Sequence, residues 1–156
     1  MNYHDYFVYK DGFLVWKNCP LKKYTNQIAG SLRFDGYVGI YLNKKYHFAH
    51  RIIWEMHNEK IPEGMIVDHI NNDRSDNRIE NLRLATLSQN GFNRPRQQNN
   101  KSGYKRVSWH KQKQKWVAQI KINGKNKFLG FFVNAEDAYE AYCLKAKELY
   151  GEFAQL

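Results

Sequence analysis

Short apolar and aromatic runs, broken by turn-forming residues, fill the first 46 residues of the chain. The stretch "YFVYKDGFLVWK" predicts one β-hairpin, with Asp11-Gly12 at its turn. A second hairpin is predicted over "GYVGIYLNKKYHFAH", with Asn43-Lys44 at the turn. The next segment, "AHRIIWEMHNEKIPEG", has the apolar spacing of a short helix that we expect Pro62 and Gly64 to end, with apolar members Ile52, Ile53, Trp54 and Met56.

Two short β runs then enclose a polar loop. We expect strands at Met65 to Ile70 and within "NLRLAT", separated by the turn-rich "NNDRSDNR". Thr86 or Ser88 can begin the following helix, because either hydroxyl can accept from the amides of its first turn. This is a ββα unit. It buries so little apolar surface that something besides a core must hold it together.

The last third of the chain has a different pattern. The polar segment "NRPRQQNNKSG" predicts a linker, and three short strands follow. The clearest is Trp116 to Ile122, in which Trp116, Ala118, Ile120 and Ile122 alternate with Val117, Gln119 and Lys121. Asn123-Gly124 favours a tight hairpin, and Asn134 a cap for a final helix that Gly151 ends.

The predicted fold class is therefore α+β, with hairpins and a ββα unit followed by a three-stranded antiparallel sheet packed on one helix. We expect one domain over residues 1–95, a linker over 96–103 and a second domain over 104–156.

The formal net charge of +10 is concentrated in the second part of the chain. Residues 96–135 contain ten Lys or Arg and no acid, whereas residues 1–95 contain thirteen Lys or Arg and ten Asp or Glu. Aromatic residues interleave with this basic stretch, so polyanion binding is the leading interpretation, with a merely soluble basic face as the alternative.

The same composition excludes several classes. Cys19 and Cys143 are too few for a four-thiolate zinc site, and we expect both to be reduced thiols. The chain has neither a signal-peptide pattern nor an apolar run of membrane-spanning length, so we expect a cytoplasmic protein without a membrane partner. His47, His50 and His57 lack a completing metal ligand at suitable spacing, and we expect no structural zinc.

Candidate chemistry lies in the ββα unit, where Asp68 and His69 are adjacent on the first strand. Their side chains would leave opposite faces, so a bend at the strand end is needed to bring both to one phosphate. Asp68 and Asn90 offer the oxygen ligands that Mg²⁺ accepts, and His69 titrates near neutrality, as a general base must. We expect Asn81 to hold the loop and orient the His69 ring. The alternative is an ordinary surface turn.

Asp68-His69, Asn81 within "IENLRLAT" and Asn90 within "LSQNGFN" resemble the H-N-H nuclease motif, with asparagine in its third position. The lead-in "AHRIIWEMHNEKIPEGMIVDHI" is similar to that of phage-type H-N-H homing endonucleases. The resemblance implies a ββα-metal fold, one Mg²⁺ or Mn²⁺ on Asp68 and Asn90, His69 as base, and 5′-phosphate and 3′-hydroxyl products. It also implies phosphate contact or charge support from His50 and Arg51.

Residues 102–156 resemble the DNA-binding domain of plant ethylene-response factors (Apetala-type), as in "GYKRVSWHKQKQKWVAQI" and "FLGFFVNAEDAYEAY". In that family the sheet enters the major groove, where Gln can pair with adenine and Lys or Arg with guanine. The resemblance assigns base-edge, phosphate or sugar contacts to Lys105, Arg106, Ser108, Trp109, Lys115, Gln119, Lys121, Lys127 and Phe128. The plant pattern is richer in arginine, so its target sequence does not transfer.

Together these patterns predict a metal-dependent DNA endonuclease of the homing type, hydrolysing phosphodiester bonds in duplex DNA as a monomer or homodimer, in a bacterial or phage-infected cell. One active centre per chain cuts one strand, so a monomer would nick, whereas double-strand cleavage needs a dimer or two sequential events. The alternatives are a sequence-specific DNA-binding protein or repressor that does not cut, and an RNA-binding protein.

Overall fold

The computed structural model describes residues 1–93, 100–122, 124–154 and 156, without the side chain of Asn93. The chain divides into two compact units, Met1–Leu87 and Ser88–Leu156. Within the described ranges, no helix is both long and apolar enough to cross a bilayer.

The first unit is built from hairpins, one helix and a two-stranded sheet. Its elements are β1 Phe7–Lys10, β2 Phe13–Trp16, β3 Ser31–Leu32, β4 Val38–Leu42, β5 Lys45–Phe48, α1 Ala49–His57, β6 Met65–His69 and β7 Leu82–Thr86. The strands pair antiparallel as β1-β2, β3-β4-β5 and β6-β7. These observations confirm the α+β class.

Both predicted hairpin turns are present. Asp11 and Gly12 have φ of 42° and 85°, and Asn43 and Lys44 have φ of 50° and 64°. Positive φ at both central residues matches the right-handed twist of the flanking strands, which is why such turns join hairpins. Asparagine and aspartate tolerate this conformation, whereas Lys44 adopts it against its intrinsic preference.

Helix α1 supplies the centre of the first core. Ile52 and Ile53 are buried there against residues of the hairpins, among them Phe7, Leu14 and Ile40. The helix ends at His57, earlier than the predicted stop at Pro62, because Asn58 already has an extended backbone. The prediction of its C-terminal end was therefore wrong, although the buried face was identified.

The ββα unit follows α1. Strands β6 and β7 pair in register from Met65↔Thr86 to His69↔Leu82. Helix α2, Leu87–Asn93, begins directly after β7. The chain turns at Ile70, immediately beyond His69, so the catalytic candidates lie at the end of the ladder that the 70–81 loop closes.

The second unit consists of α2, a three-stranded sheet and a long helix. Its strands are β8 Val107–His110, β9 Lys115–Ile122 and β10 Lys125–Phe132, in the order β10-β9-β8, with α3 at Ala135–Tyr150. Small residues of α3, Ala138 and Ala146, pack with Ala118 and Ile120 of the central strand. Close approach of helix and sheet follows from these short side chains. Asn123 of the predicted hairpin turn lies outside the described residues.

The boundary between the two compact units falls after Leu87, the first residue of α2, and the predicted domain bounds stay a prediction. The ring of Phe92 in α2 stacks on Tyr150, with centroids 3.7 Å apart and planes 7° apart. Lys105 Nζ also donates to the Phe92 carbonyl oxygen at 3.0 Å. These contacts group α2 with the second unit. Residues 96–99 of the predicted linker lie outside the described residues.

Candidate active site

His69 ends β6 with its ring buried and bonded to one asparagine. Its Nε2 lies 3.0 Å from Asn77 Oδ1, and Asn77 is itself only 3 % exposed. The Asn77 amide nitrogen donates to the Ser75 carbonyl at 3.1 Å. Because that contact fixes the amide orientation, Oδ1 is an acceptor and His69 Nε2 must carry the proton. In the neutral ring, Nδ1 is then the nitrogen with the basic lone pair.

Burial also sets the charge of this ring. Loss of solvent lowers the pKa of His69 below its ordinary value of 6.5, and the Asn77 hydrogen bond and Asp68 oppose that change by favouring the charged form. The net direction is downward, so the imidazole is mostly neutral at pH 7. A neutral imidazole can accept a proton from water.

Asn81 closes the loop between β6 and β7. Its side-chain oxygen accepts from the Asn71 backbone amide at 3.1 Å, and its amide nitrogen donates to Asn71 Oδ1 at 3.0 Å and to the Asp76 carbonyl at 2.8 Å. The expected loop contact is therefore observed. The contact to the His69 ring comes from Asn77, which the sequence did not single out because it lies among turn formers in "NNDRSDNR".

The Asp68 side chain contacts a different residue from the one that His69 contacts. Its Oδ2 is 3.1 Å from Nε of Arg83, the residue opposite it on β7, and both side chains are buried. The ladder is regular up to His69, so the expected bend does not occur within β6. Convergence of Asp68 and His69 on one phosphate therefore requires that phosphate to lie at the strand end.

A second histidine, His50 of α1, stands edge-on to His69. Their ring centroids are 4.9 Å apart and their planes 69° apart. Burial, and then the nearby His69 and Arg51, lower the pKa of His50 to about 3. Its buried Nδ1 has no hydrogen-bond partner among the described residues. The ring is therefore neutral at working pH and can offer a hydrogen bond but not positive charge. Arg51, in contrast, is exposed.

The donors available for a metal are oxygen atoms. No group of three or more His, Cys, Asp or Glu side chains within the described ranges could hold an ion. Within the first unit, an ion here would rely on the Asp68 carboxylate, water and substrate phosphate. That donor set is hard and sparse, and it suits Mg²⁺ better than zinc.

The nucleic-acid candidates of the second unit divide between the two faces of its sheet. Register pairs Gln119 with Phe128, Lys121 with Asn126, Val117 with Ser108 and Lys115 with His110, so these residues share the face away from α3. Phe131 joins them, 4.9 Å from Phe128 and 5.4 Å from His110. These rings also explain why Val117 is buried in a row expected to be exposed.

Four other candidates lie elsewhere in the second unit. Trp109 pairs with Trp116 on the helix side, with ring centroids 5.2 Å apart, because Val107 and Trp109 alternate inward. Lys127 lies opposite the buried Ile120 and therefore also on that side. Lys105 is partly buried, and loss of solvent lowers its pKa to about 8. Arg106 is exposed, with φ of 63°. Trp109 and Lys127 thus lie on the face of the sheet opposite to Gln119 and Lys121, and the DNA contacts expected of Trp109, Lys127 and Lys105 stay predictions.

Sequence comparison identifies a domain within the chain. Protein 3.8 of Escherichia phage T7 is 32 % identical over 109 residues, which cover 68 % of this chain and 87 % of that protein. The HNH endonuclease family profile matches residues 47–92, a range that contains His50, Asp68, His69, Asn81 and Asn90. Over residues 47–92 the chain therefore carries an HNH endonuclease domain.

Two further likenesses accompany this HNH endonuclease. The mimivirus protein named uncharacterized HNH endonuclease L560, from Acanthamoeba polyphaga mimivirus, is 39 % identical over 106 residues, or 67 % of this chain and 54 % of that protein. The structure describing DNA binding and cleavage by the HNH homing endonuclease I-HmuI matches with a TM-score of 0.46 and 19 % identity, over 93 % of this chain and 85 % of that one. The structural likeness is too weak to carry an argument.

The buried His50 predicts how stability depends on pH. An unfolded chain protonates this imidazole with the ordinary pKa of 6.5, whereas the folded chain does so only at a pKa of about 3. Protons are therefore bound preferentially by the unfolded state, and stability falls as pH decreases below 6.5. Between pH 7.5 and pH 5, we expect the free energy of unfolding of His50→Phe to fall by about 2 kcal/mol less than that of the parent.

Urea unfolding at a series of pH values measures this difference. The exposed His4→Gln variant is the control for loss of a histidine outside the cluster. Equal pH slopes for the parent and His50→Phe would contradict the burial argument.

Proposed function

We propose that this HNH endonuclease is a divalent-metal-dependent DNA endonuclease of the homing type, with His69 as the general base. The observation that supports this role most directly is the Asn77 hydrogen bond, which holds the His69 ring as the Nε2–H tautomer. The HNH domain supports nuclease activity. The geometry supports the separate roles proposed for the residues of the site.

In the proposed reaction, His69 Nδ1 accepts a proton from the attacking water as the new phosphorus–oxygen bond forms. The bond to the 3′ oxygen breaks, that oxygen acquires a proton from solvent, and the products carry 5′-phosphate and 3′-hydroxyl ends. Asp68 and Asn90 would hold Mg²⁺ or Mn²⁺. When bound, such an ion would stabilise the charge that develops on phosphorus and the leaving oxygen.

The flanking residues have supporting roles in this proposal. Arg51 is exposed on α1 and can approach a phosphate as a cation. His50 is buried and neutral, so its contribution is to exclude water around His69 and to offer a hydrogen bond. Arg83 orients the Asp68 carboxylate through their buried ion pair.

DNA recognition is assigned to the sheet face of the second unit, in the manner of the ethylene-response-factor domains. That face presents Ser108, Lys115, Gln119, Lys121, Phe128 and Phe131 together. A β-ribbon fits the major groove, where amide and ammonium groups can read base edges and rings can contact thymine methyl groups. The named relatives come from a bacteriophage and a giant virus, which supports action on DNA in an infected cell.

Replacement of the base tests the mechanism. We expect His69→Ala to slow nicking of supercoiled DNA that contains a cleavable site, with Mg²⁺ present, by about 10²- to 10⁴-fold, because general-base catalysis contributes on that order. Cleavage is followed by conversion of supercoiled to open-circular plasmid. His69→Gln, which keeps a polar side chain, checks the result, and circular dichroism checks the fold of both variants. A His69→Ala enzyme as fast as the parent would contradict the role.

Two lysines of one hairpin test the DNA-binding face. Lys121 and Lys127 are both exposed but lie on opposite faces of the sheet. We expect Lys121→Gln to reduce the slope of log affinity against log salt by about 0.9, the value for one lost phosphate contact. Lys127→Gln is the matched control and should leave the slope unchanged. If Lys127→Gln reduced the slope more than Lys121→Gln, DNA would instead bind the face of the sheet that packs on α3.

A further inference from the structure

Arg74 projects from the loop after β6 and is held in one orientation. Its guanidinium carbon is 4.9 Å from the centroid of the Tyr37 ring. Its Nη1 donates to the Asp35 carbonyl at 2.8 Å. A guanidinium placed on a ring face keeps its N–H edges available to a planar or tetrahedral anion. Arg74 is exposed, so that edge is accessible from solvent.

The ring beneath Arg74 also contacts both histidines of the active site. The Tyr37 centroid is 5.2 Å from that of His50 and 5.9 Å from that of His69. Tyr37 therefore contacts both the guanidinium and the ring of the proposed base. A strand whose scissile phosphate reaches His69 would bring a neighbouring phosphate past this ring.

Arg74 differs from three other arginines of the first unit. Arg33, Arg78 and Arg83 form ion pairs with Asp35, Asp76 and Asp68 at 3.2, 2.7 and 3.1 Å. Within the part of the chain that the structure describes, Arg74 has no carboxylate at ion-pair distance. Its hydrogen bond goes to a neutral carbonyl, so its charge is not offset by an ion pair.

We propose that Arg74, seated on Tyr37, binds a phosphate of the cleaved DNA strand next to the scissile one. The assignment rests on the proposed function of the His69 site and adds a substrate subsite to it. Prior orientation by Tyr37 and Asp35 lowers the entropy lost when the phosphate binds. Charge-assisted contacts from a planar guanidinium then fix the register of the strand over His69.

The test measures whether the effect of neutralising one phosphate depends on the Arg74 side chain. Once the cleavage position is mapped, duplexes are made with one neutral methylphosphonate at each phosphate flanking the scissile bond. Single-turnover kcat/KM is then measured for the full-length parent and for Arg74→Gln. Loss of a hydrogen bond to a charged group corresponds to about ten-fold or more. At one flanking position, we expect the methylphosphonate to lower kcat/KM of the parent by that factor. The same methylphosphonate should leave kcat/KM of Arg74→Gln almost unchanged.

Arg78→Gln is the matched control, since it removes the same charge from the same exposed loop, where Arg78 is already paired with Asp76. It should retain the parent's sensitivity to every methylphosphonate. Arg74→Lys should restore only part of the effect, because an ammonium keeps the charge but not the planar contact.

The outcomes separate this subsite from the proposed function. Cleavage that depends on His69, together with equal methylphosphonate sensitivity in the parent and Arg74→Gln at every flanking position, overturns the subsite alone. A parent that neither binds nor cuts duplex DNA overturns the proposed function and the subsite together.

Discussion

The hydrogen bond between His69 and Asn77 depends on a polar loop, residues 70–81, in which Ile79 packs against the first core. Strands β6 and β7 have five residues each, too few to define the loop by packing. Side-chain amides do this instead, because Asn81 joins Asn71 to the Asp76 backbone while Asn77 joins Ser75 to His69. The crowding of asparagines in this segment is therefore a structural requirement. Each amide can donate and accept at once, which a carboxylate or hydroxyl does less completely.

The electrostatics of the site follow from the same arrangement. Two histidine rings share a buried space with Tyr37, and loss of solvent lowers the pKa of both. Only His69 has hydrogen bonding and nearby carboxylates that counteract the effect. Both rings are therefore mostly neutral at pH 7, and only at His69 do neighbouring groups oppose the lowering of the pKa. Different partners separate the roles of two buried residues of the same type.

Sequence reasoning identified the elements because the signals there are local. Asp11-Gly12 and Asn43-Lys44 mark their turns, and the apolar alternation of β9 marks its buried face. The partner of His69 was missed because nothing local distinguishes the buried Asn77 from exposed turn asparagines. The positions of Trp109 and Lys105 depend on strand register and on a distant contact: Trp109 lies opposite Trp116, and Lys105 donates to the carbonyl oxygen of Phe92, thirteen residues away. Their expected DNA contacts stay predictions.

The pH dependence of single-turnover cleavage by Asn77 variants tests the central claim most directly. Since the Asn77 oxygen favours protonated His69, Asn77→Ala should lower the His69 pKa and move the acid limb of the rate profile to lower pH. Asn77→Asp offers a negatively charged acceptor, so it should raise that pKa and move the limb to higher pH. Opposite displacements are the predicted result. Displacement of both limbs in the same direction, or of neither, would contradict the role of Asn77 as the partner that sets the proton position on His69.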